Sequence, residues 1–206
     1  MSGLPAMTAP VAPGRRERKK EQTREALVAS AFRLVAERGF DHVTVEQIAD
    51  DCDISPRTFF RYFASKEDVL FADGDADRQR MVDAVAAQPP GLGAFAAMEG
   101  AVRSIVEEFD IDREAMLRRR DIVAANPSLR ARAIERYHGW ESSLIDELRA
   151  PGRDGTQDEL AVRLAVAATI SALRVAVGLW IEDPSTGSLE DLLAAALTRL
   201  RTGLDS

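Results

Sequence analysis

Apolar residues recur along this chain at helical spacing, and no sustained alternation of β-branched and aromatic residues bounded by turns interrupts them. An all-α fold is predicted. A first helix over about Arg18–Arg38 places Leu27, Ala31, Leu34 and Val35 on one face and stops at Gly39. Thr44 followed by Gln47 reads as a capping box for a short helix over about Val45–Cys52, with Ile48 and Ala49 turned inward. Asp53 and Ile54 form a tight turn. Ser55 then caps, and Pro56 opens, a helix reaching about Tyr62. Ser65 with Asp68 marks a further start.

The pattern then gives one long helix from about Lys66 to Ala87, stopped by Pro89 and Pro90. Further helices follow over about Leu92–Phe109, Asp112–Asn126, Pro127–Arg149, Gln157–Ile181 and Leu189–Thr202, the last capped by Ser188, with a loop over Pro151–Gly155. About nine helices result, in three parts: a Pro/Ala-rich disordered tail over 1–14, a three-helix domain over 15–65, and a helical ligand-binding and dimerisation domain over 66–206. The 206 residues are ample for a buried core.

Charge is unevenly distributed along the chain. The chain holds 27 Lys+Arg against 34 Asp+Glu, a net −7, which excludes a uniformly basic coat. Residues 15–66 nevertheless carry net +2, so the remainder carries −9. Between Ser55 and Lys66 stand Arg57, Arg61 and Lys66 with no acid, interleaved with Phe59, Phe60, Tyr62 and Phe63. This positive island, on the second of two short helices joined by a tight turn, describes a helix-turn-helix over about 43–62 whose second helix enters a DNA major groove. Phe59 and Phe63, four apart, share an inward face. Pro56, Arg57, Phe60 and Arg61 point outward, and arginine's fork matches the acceptor pair of guanine. Thr58 suits a thymine methyl or a phosphate, and Tyr62, Lys66 and Thr44 suit phosphates. The bland alternative is a solvated basic surface in which Thr44 and Ser55 are only helix caps.

Other chemistry is sparse. A single cysteine, Cys52, excludes a disulfide framework and reads as a small buried residue. Glu135 and His138 have the spacing of a bundle metal site, the feature on which a metal-binding or enzymatic alternative rests, but the other histidine, His42, lies in a distant turn. No metal, cofactor or catalytic residue is expected. The segment Leu160–Ile181 is apolar enough to suggest a membrane, but Arg163 and Arg174 near its centre would cost about 5–7 kcal/mol there. No secretory signal or membrane association is expected, and a cytoplasmic protein is the reading that follows.

The segments Thr44-Val-Glu-Gln-Ile-Ala, Ile54-Ser-Pro-Arg-Thr-Phe-Phe-Arg-Tyr-Phe and Ser65-Lys-Glu-Asp-Val-Leu resemble the DNA-binding domain of the tetracycline-repressor (TetR) family over roughly Arg18–Phe71. The resemblance implies a homodimeric all-α regulator, usually a repressor. Helices 1–3 of such a protein read a palindromic operator, and a small-molecule effector in the C-terminal domain releases it. By position, the family's DNA contacts fall on Thr44, Arg57, Thr58, Phe60, Tyr62 and Lys66. Arg57 stands where a small residue is common and Phe60 where tyrosine is common.

In the C-terminal domain, Arg118-Arg-Arg, Asn126-Pro-Ser-Leu-Arg-Ala-Arg and Trp140-Glu141 resemble the branch with an acyl-CoA-like ligand-binding domain. Phe109, Arg119, Asn126, Tyr137, Trp140 and Trp180 become candidate effector contacts, although Phe109, Trp140 and Trp180 read more readily as core. For dimerisation, the helix over 157–181 offers a stripe of Leu164, Ala168, Ser171, Val175 and Leu179. The helix over 189–202 adds Leu189, Leu192, Leu193, Ala196, Leu197 and Leu200. These stripes serve either a two-fold four-helix bundle or the chain's own core.

Overall fold

The computed structural model describes residues 14–72, 74–108, 113–152 and 158–203. The N-terminal tail, most of the loop expected over Pro151–Gly155, and Phe109 lie outside them. Ten α-helices and two short 3-10 turns make up the described residues, which contain no strand. The helices are α1 (Arg15–Arg38), α2 (Val45–Asp51), α3 (Pro56–Phe59), α4 (Lys66–Leu70), α5 (Gly74–Ala86), α6 (Ala94–Glu108), α7 (Arg113–Ala125), α8 (Pro127–Leu148), α9 (Glu159–Glu182) and α10 (Leu189–Thr202). The 3-10 turns are Phe40–His42 and Pro184–Thr186. The chain forms two compact units, the first ending at Leu70 and the second beginning at Phe71.

The first unit is built on the inward face of α1. Leu27, Ala31, Leu34 and Val35 are all buried, as their spacing requires. Gly39 closes α1 at φ +82°, a backbone conformation that disfavours a side chain, and its N–H bonds the Val35 carbonyl at 2.9 Å. Phe40, Val43, Ile48, Ala49, Phe59 and Phe63 complete this core, and α4 packs back on α1 through buried Val69 and Leu70.

The expected long helix over 66–87 is two helices. α4 ends at Leu70 and α5 begins at Gly74, whose N–H bonds the Phe71 carbonyl at 3.0 Å. Gly74 costs about 1 kcal/mol relative to alanine inside a helix, and Asp75 and Asp77 in the next turn suit a helix start rather than a helix middle. The third helix is also shorter than its pattern suggests. After Phe59 the backbone tightens, with Arg61 N–H to Thr58 O at 3.1 Å and Tyr62 N–H to Phe59 O at 2.8 Å.

The second unit is organised around α9. Its inner face carries Val162, Val166, Ile170 and Ala176, packed against α6 (Ala97, Met98, Ala101, Val102) and α10. α5 packs against both α6 and α8. An 18-residue stretch of α9 reaches a mean hydropathy of 1.9, enough in length and composition for a membrane span, but its inner face is this core. Arg163 pairs with Glu159 at 2.8 Å, and Arg174 is exposed. At the far end of α9, Arg113 of α7 donates to the Trp180 and Ile181 carbonyls, both at 2.8 Å, satisfying acceptors that the helix leaves open.

The two C-terminal stripes have different fates. Leu189, Leu193 and Leu197 of α10 are buried in the chain's own core, with Leu192, Ala196 and Leu200 half-buried beside them. On α9, Leu164, Val175 and Leu179 are exposed, at 59%, 48% and 46%, and Ser171 is exposed between them. On α10 the chain's own core thus takes Leu189, Leu193 and Leu197, while Leu192, Ala196 and Leu200 are only partly covered by it.

Candidate nucleic-acid interface

The local chemistry of α2 and α3 positions every outward residue. Thr44 accepts from the Gln47 N–H at 3.3 Å while the Thr44 N–H donates to Gln47 Oε1 at 3.0 Å, a complete capping box. Asp53 turns the chain at φ +52°, a conformation that aspartate tolerates better than most residues. The Ile54 N–H returns to the Ala49 carbonyl at 3.0 Å. Ser55 accepts from the Thr58 N–H at 3.2 Å, and Pro56 takes the first helical position.

The faces of α3 divide cleanly. Phe59 is fully buried, and its ring lies 5.8 Å from that of buried Phe63. Phe60, the next residue, is 55% exposed and meets Phe59 edge-on at 5.6 Å. Arg57 and Arg61 are exposed, and neither is in an ion pair among the described residues. Arg61 lies 5.8 Å from the centre of the half-buried Tyr62 ring. Ser55 and Thr44 are exposed at their helix starts, and Pro56 and Thr58 are half-buried. α3 and the tight turn that follows it thus hold two guanidinium groups outside any ion pair and an exposed aromatic ring against a buried phenylalanine anchor, an arrangement suited to a polyanionic groove.

Lys66 has a task beyond charge. Its ammonium donates to the Phe40 carbonyl at 2.9 Å and the Val43 carbonyl at 3.0 Å, and it sits 4.2 Å from the centre of the Phe40 ring. Two of its three donors therefore knit α4 to the approach of α2. The sequence also gave no sign of the polar tie between α1 and α2. Ser30 Oγ donates to the Asp51 carboxylate at 2.6 Å, and the Arg33 guanidinium donates to its other oxygen at 2.5 Å. These residues lie about twenty positions apart, so no local motif records them. The hydrogen bond from Ser30, then the one from Arg33, holds the Asp51 carboxyl below its usual range. Its stabilisation is complete above an unfolded carboxyl value of about 3.9 and is lost as pH falls through the lower folded value. Asp51→Asn should lower stability at neutral pH and make the acid limb shallower, as read by helicity against pH. Burial pushes the neighbouring Cys52 thiol up, which makes it a poor nucleophile.

Comparison with known proteins decides the family. Residues 27–72 match the family model described as "Bacterial regulatory proteins, tetR family", and residues 92–205 match the MftR C-terminal domain. The chain is 32% identical over 203 residues to the HTH-type transcriptional regulator TcmR of Streptomyces glaucescens, covering 95% of this chain and 90% of that protein. The chain belongs to the TetR family. It is a DNA-binding transcriptional regulator, and α2 and α3 are its helix-turn-helix. It is also 27% identical over 191 residues to MftR of Mycobacterium tuberculosis, covering 91% of this chain and 94% of that one. Among solved structures, Thermus thermophilus FadR in complex with lauroyl-CoA shares the fold at a TM-score of 0.55 and 21% identity, covering 86% of this chain and 92% of that one.

In a TetR-family protein the C-terminal unit is where an effector is sought, and here the candidate contacts are scattered. Tyr137 is exposed and meets half-buried Trp140 edge-on at 6.4 Å. Asn126 lies eleven residues earlier, roughly 16 Å along the helix axis, with its amide donating to the Ile122 carbonyl at 2.6 Å. Trp180 is half-buried against the core at the end of α9, and Arg119 is half-buried on α7. The neighbouring arginines are engaged, Arg118 with Glu114 at 3.1 Å and Arg120 with Glu182 at 3.0 Å. Glu135 pairs with Arg132 at 3.4 Å and His138 is exposed, and no group of three metal-ligating side chains occurs among the described residues. The metal-binding alternative gains no support.

Proposed function

We propose that this regulator is a cytoplasmic homodimeric repressor that reads a palindromic operator through α3 and is released from it by a small apolar effector, with an acyl-CoA as the candidate class. The observation that carries the DNA-reading role is the division of faces over α3 and the turn after it, with Phe59 buried and Arg57, Phe60 and Arg61 outward. Arg57 and Arg61 read base edges. Thr44, Ser55, Pro56, Thr58, Phe60 and Tyr62 position the helix on the backbone and groove wall. Lys66 holds the α2 approach in place and offers its remaining donor to a phosphate.

The exposed stripe of Leu164, Ser171, Val175 and Leu179 on α9 supports a two-fold interface, because a row of exposed apolar side chains on one helix gains most by pairing with its own copy. The acyl-CoA class draws support from the likeness of the C-terminal segments and from the fold shared with lauroyl-CoA-bound FadR. Phe109, Arg119, Asn126, Tyr137, Trp140 and Trp180 remain its proposed contacts.

Operator titrations at fixed salt test this reading. Arg57→Ala or Arg61→Ala should lose about 1–3 kcal/mol on the operator and relax base preference, with little change on unrelated DNA. Lys66→Ala should weaken every sequence about equally. Equal binding by all three variants and the parent would place the groove face elsewhere. Adding lauroyl-CoA to the same titration should lower operator affinity, and no response across acyl chain lengths would remove that effector class.

A further inference from the structure

The chain crosses from the first unit to the second between Leu70 and Phe71, and one side chain from α8 grips the residues just beyond. Gly74, the first residue of α5, is buried, and a Cβ placed there would fall on the Arg136 guanidinium. The same guanidinium lies 5.6 Å from the centre of the Phe71 ring and 3.8 Å from the Asp75 carboxylate. A single cation thus meets Phe71, just after α4 ends, and Gly74 and Asp75, the first two residues of α5. One turn further on, Arg78 donates to Ser143 of α8 at 3.1 Å, which continues the seam.

Two features suit this contact to being released. The attachment is electrostatic rather than apolar: a cation over a ring and a long ion pair to an exposed carboxylate are individually weak. Arg136 also shares a face of α8 with Trp140, four residues on, whose ring meets Tyr137, so a displacement of that part of α8 reaches the guanidinium directly.

We propose that Arg136 is a latch that fixes the first turn of α5 to α8, and that this latch sets how firmly the DNA-binding unit's tether is held. The role in regulation rests on the DNA-reading function above, but the latch itself is testable without DNA. In the full-length protein, Arg136→Ala should speed hydrogen exchange at the amides of residues 78–81 by about three- to tenfold. Amides of α2 and α3 should be unaffected.

Gly74→Ala supplies a diagnostic sign. Alanine favours a helix over glycine, so the substitution alone should slow exchange in α5. With the latch present its methyl displaces the guanidinium, and exchange should instead become faster. Combined with Arg136→Ala, the same substitution should slow exchange relative to Arg136→Ala alone. Reversal of sign between the two backgrounds establishes the latch. Slowing in both, or no change with Arg136→Ala, overturns it. Operator titration of Arg136→Ala, where affinity should shift about three- to tenfold, then tests the regulatory role. A parent protein that selects no operator would defeat the DNA-reading function while leaving the exchange result standing.

Discussion

Leu164→Arg combined with Val175→Arg is expected to yield a well-folded monomer that binds the operator at least ~100-fold more weakly than the parent protein. Both side chains are exposed in the single chain, at 59% and 48%, so charge at these positions should leave the fold within about 0.5 kcal/mol of its starting stability. In a two-fold interface the same charges are buried opposite their own copies. Unpaired buried charge costs several kcal/mol, enough to dissociate the dimer. The loss on DNA follows because two linked recognition helices bind with an effective concentration that a single one lacks. Light scattering coupled to size exclusion, with operator titration of the same samples, reads both effects. A variant that stays dimeric would move the interface off α9, and a monomer with undiminished operator affinity would separate DNA reading from dimerisation.

Phe59→Ala should cost about 3–5 kcal/mol and unfold the helix-turn-helix unit while the second unit keeps its own melting transition. Phe59 is fully buried and is the side chain through which the four-residue α3 enters the core, with Phe63 beside it at 5.8 Å. A helix of this length has almost no stability of its own and exists because its anchor is packed. The first unit is small, so the loss is comparable with all the stability such a domain usually has. Phe60→Ala is the matched control. That ring is 55% exposed, so its removal should leave the melting of the unit within about 0.5 kcal/mol and act only on DNA binding. Thermal unfolding followed by circular dichroism distinguishes the two variants. Similar destabilisation by both would mean that the inward and outward faces of α3 are misassigned.

The helix-turn-helix was legible because its determinants are local. Caps at Thr44, Ser55 and Ser65, the proline at position 56, and the Phe59/Phe63 pair each act within four residues, and each appears in the structure with the expected bonds or burial. Local signals also located the apolar stripe of α9, although periodicity could not say whether the chain's own core would use it. The same ambiguity holds for α10, where Leu189, Leu193 and Leu197 face inward within the chain and Leu192, Ala196 and Leu200 are partly covered.

What escaped was set by distant contacts. The single helix expected over 66–87 breaks where a guanidinium from residue 136 occupies the space beside Gly74, sixty-two positions away in sequence. Ser30, Arg33 and Asp51 form one network from three separated places. The position of Lys66 at a helix start suits a phosphate contact, and only the fold reveals that two of its donors serve the Phe40 and Val43 carbonyls. The candidate effector residues depended on likeness alone, and no local pattern required Asn126, Tyr137, Trp140 and Trp180 to converge.

The most direct test of the DNA-reading account is selection of genomic fragments by the purified protein at near-physiological salt, followed by sequencing, with Arg57→Ala carried in parallel. A palindromic site is expected, its half-sites related by two-fold symmetry as the proposed homodimer requires, with a weakened base preference within each half-site for the variant. Weak, uniform, salt-sensitive binding by the parent protein, indistinguishable from that of Arg57→Ala, would contradict it.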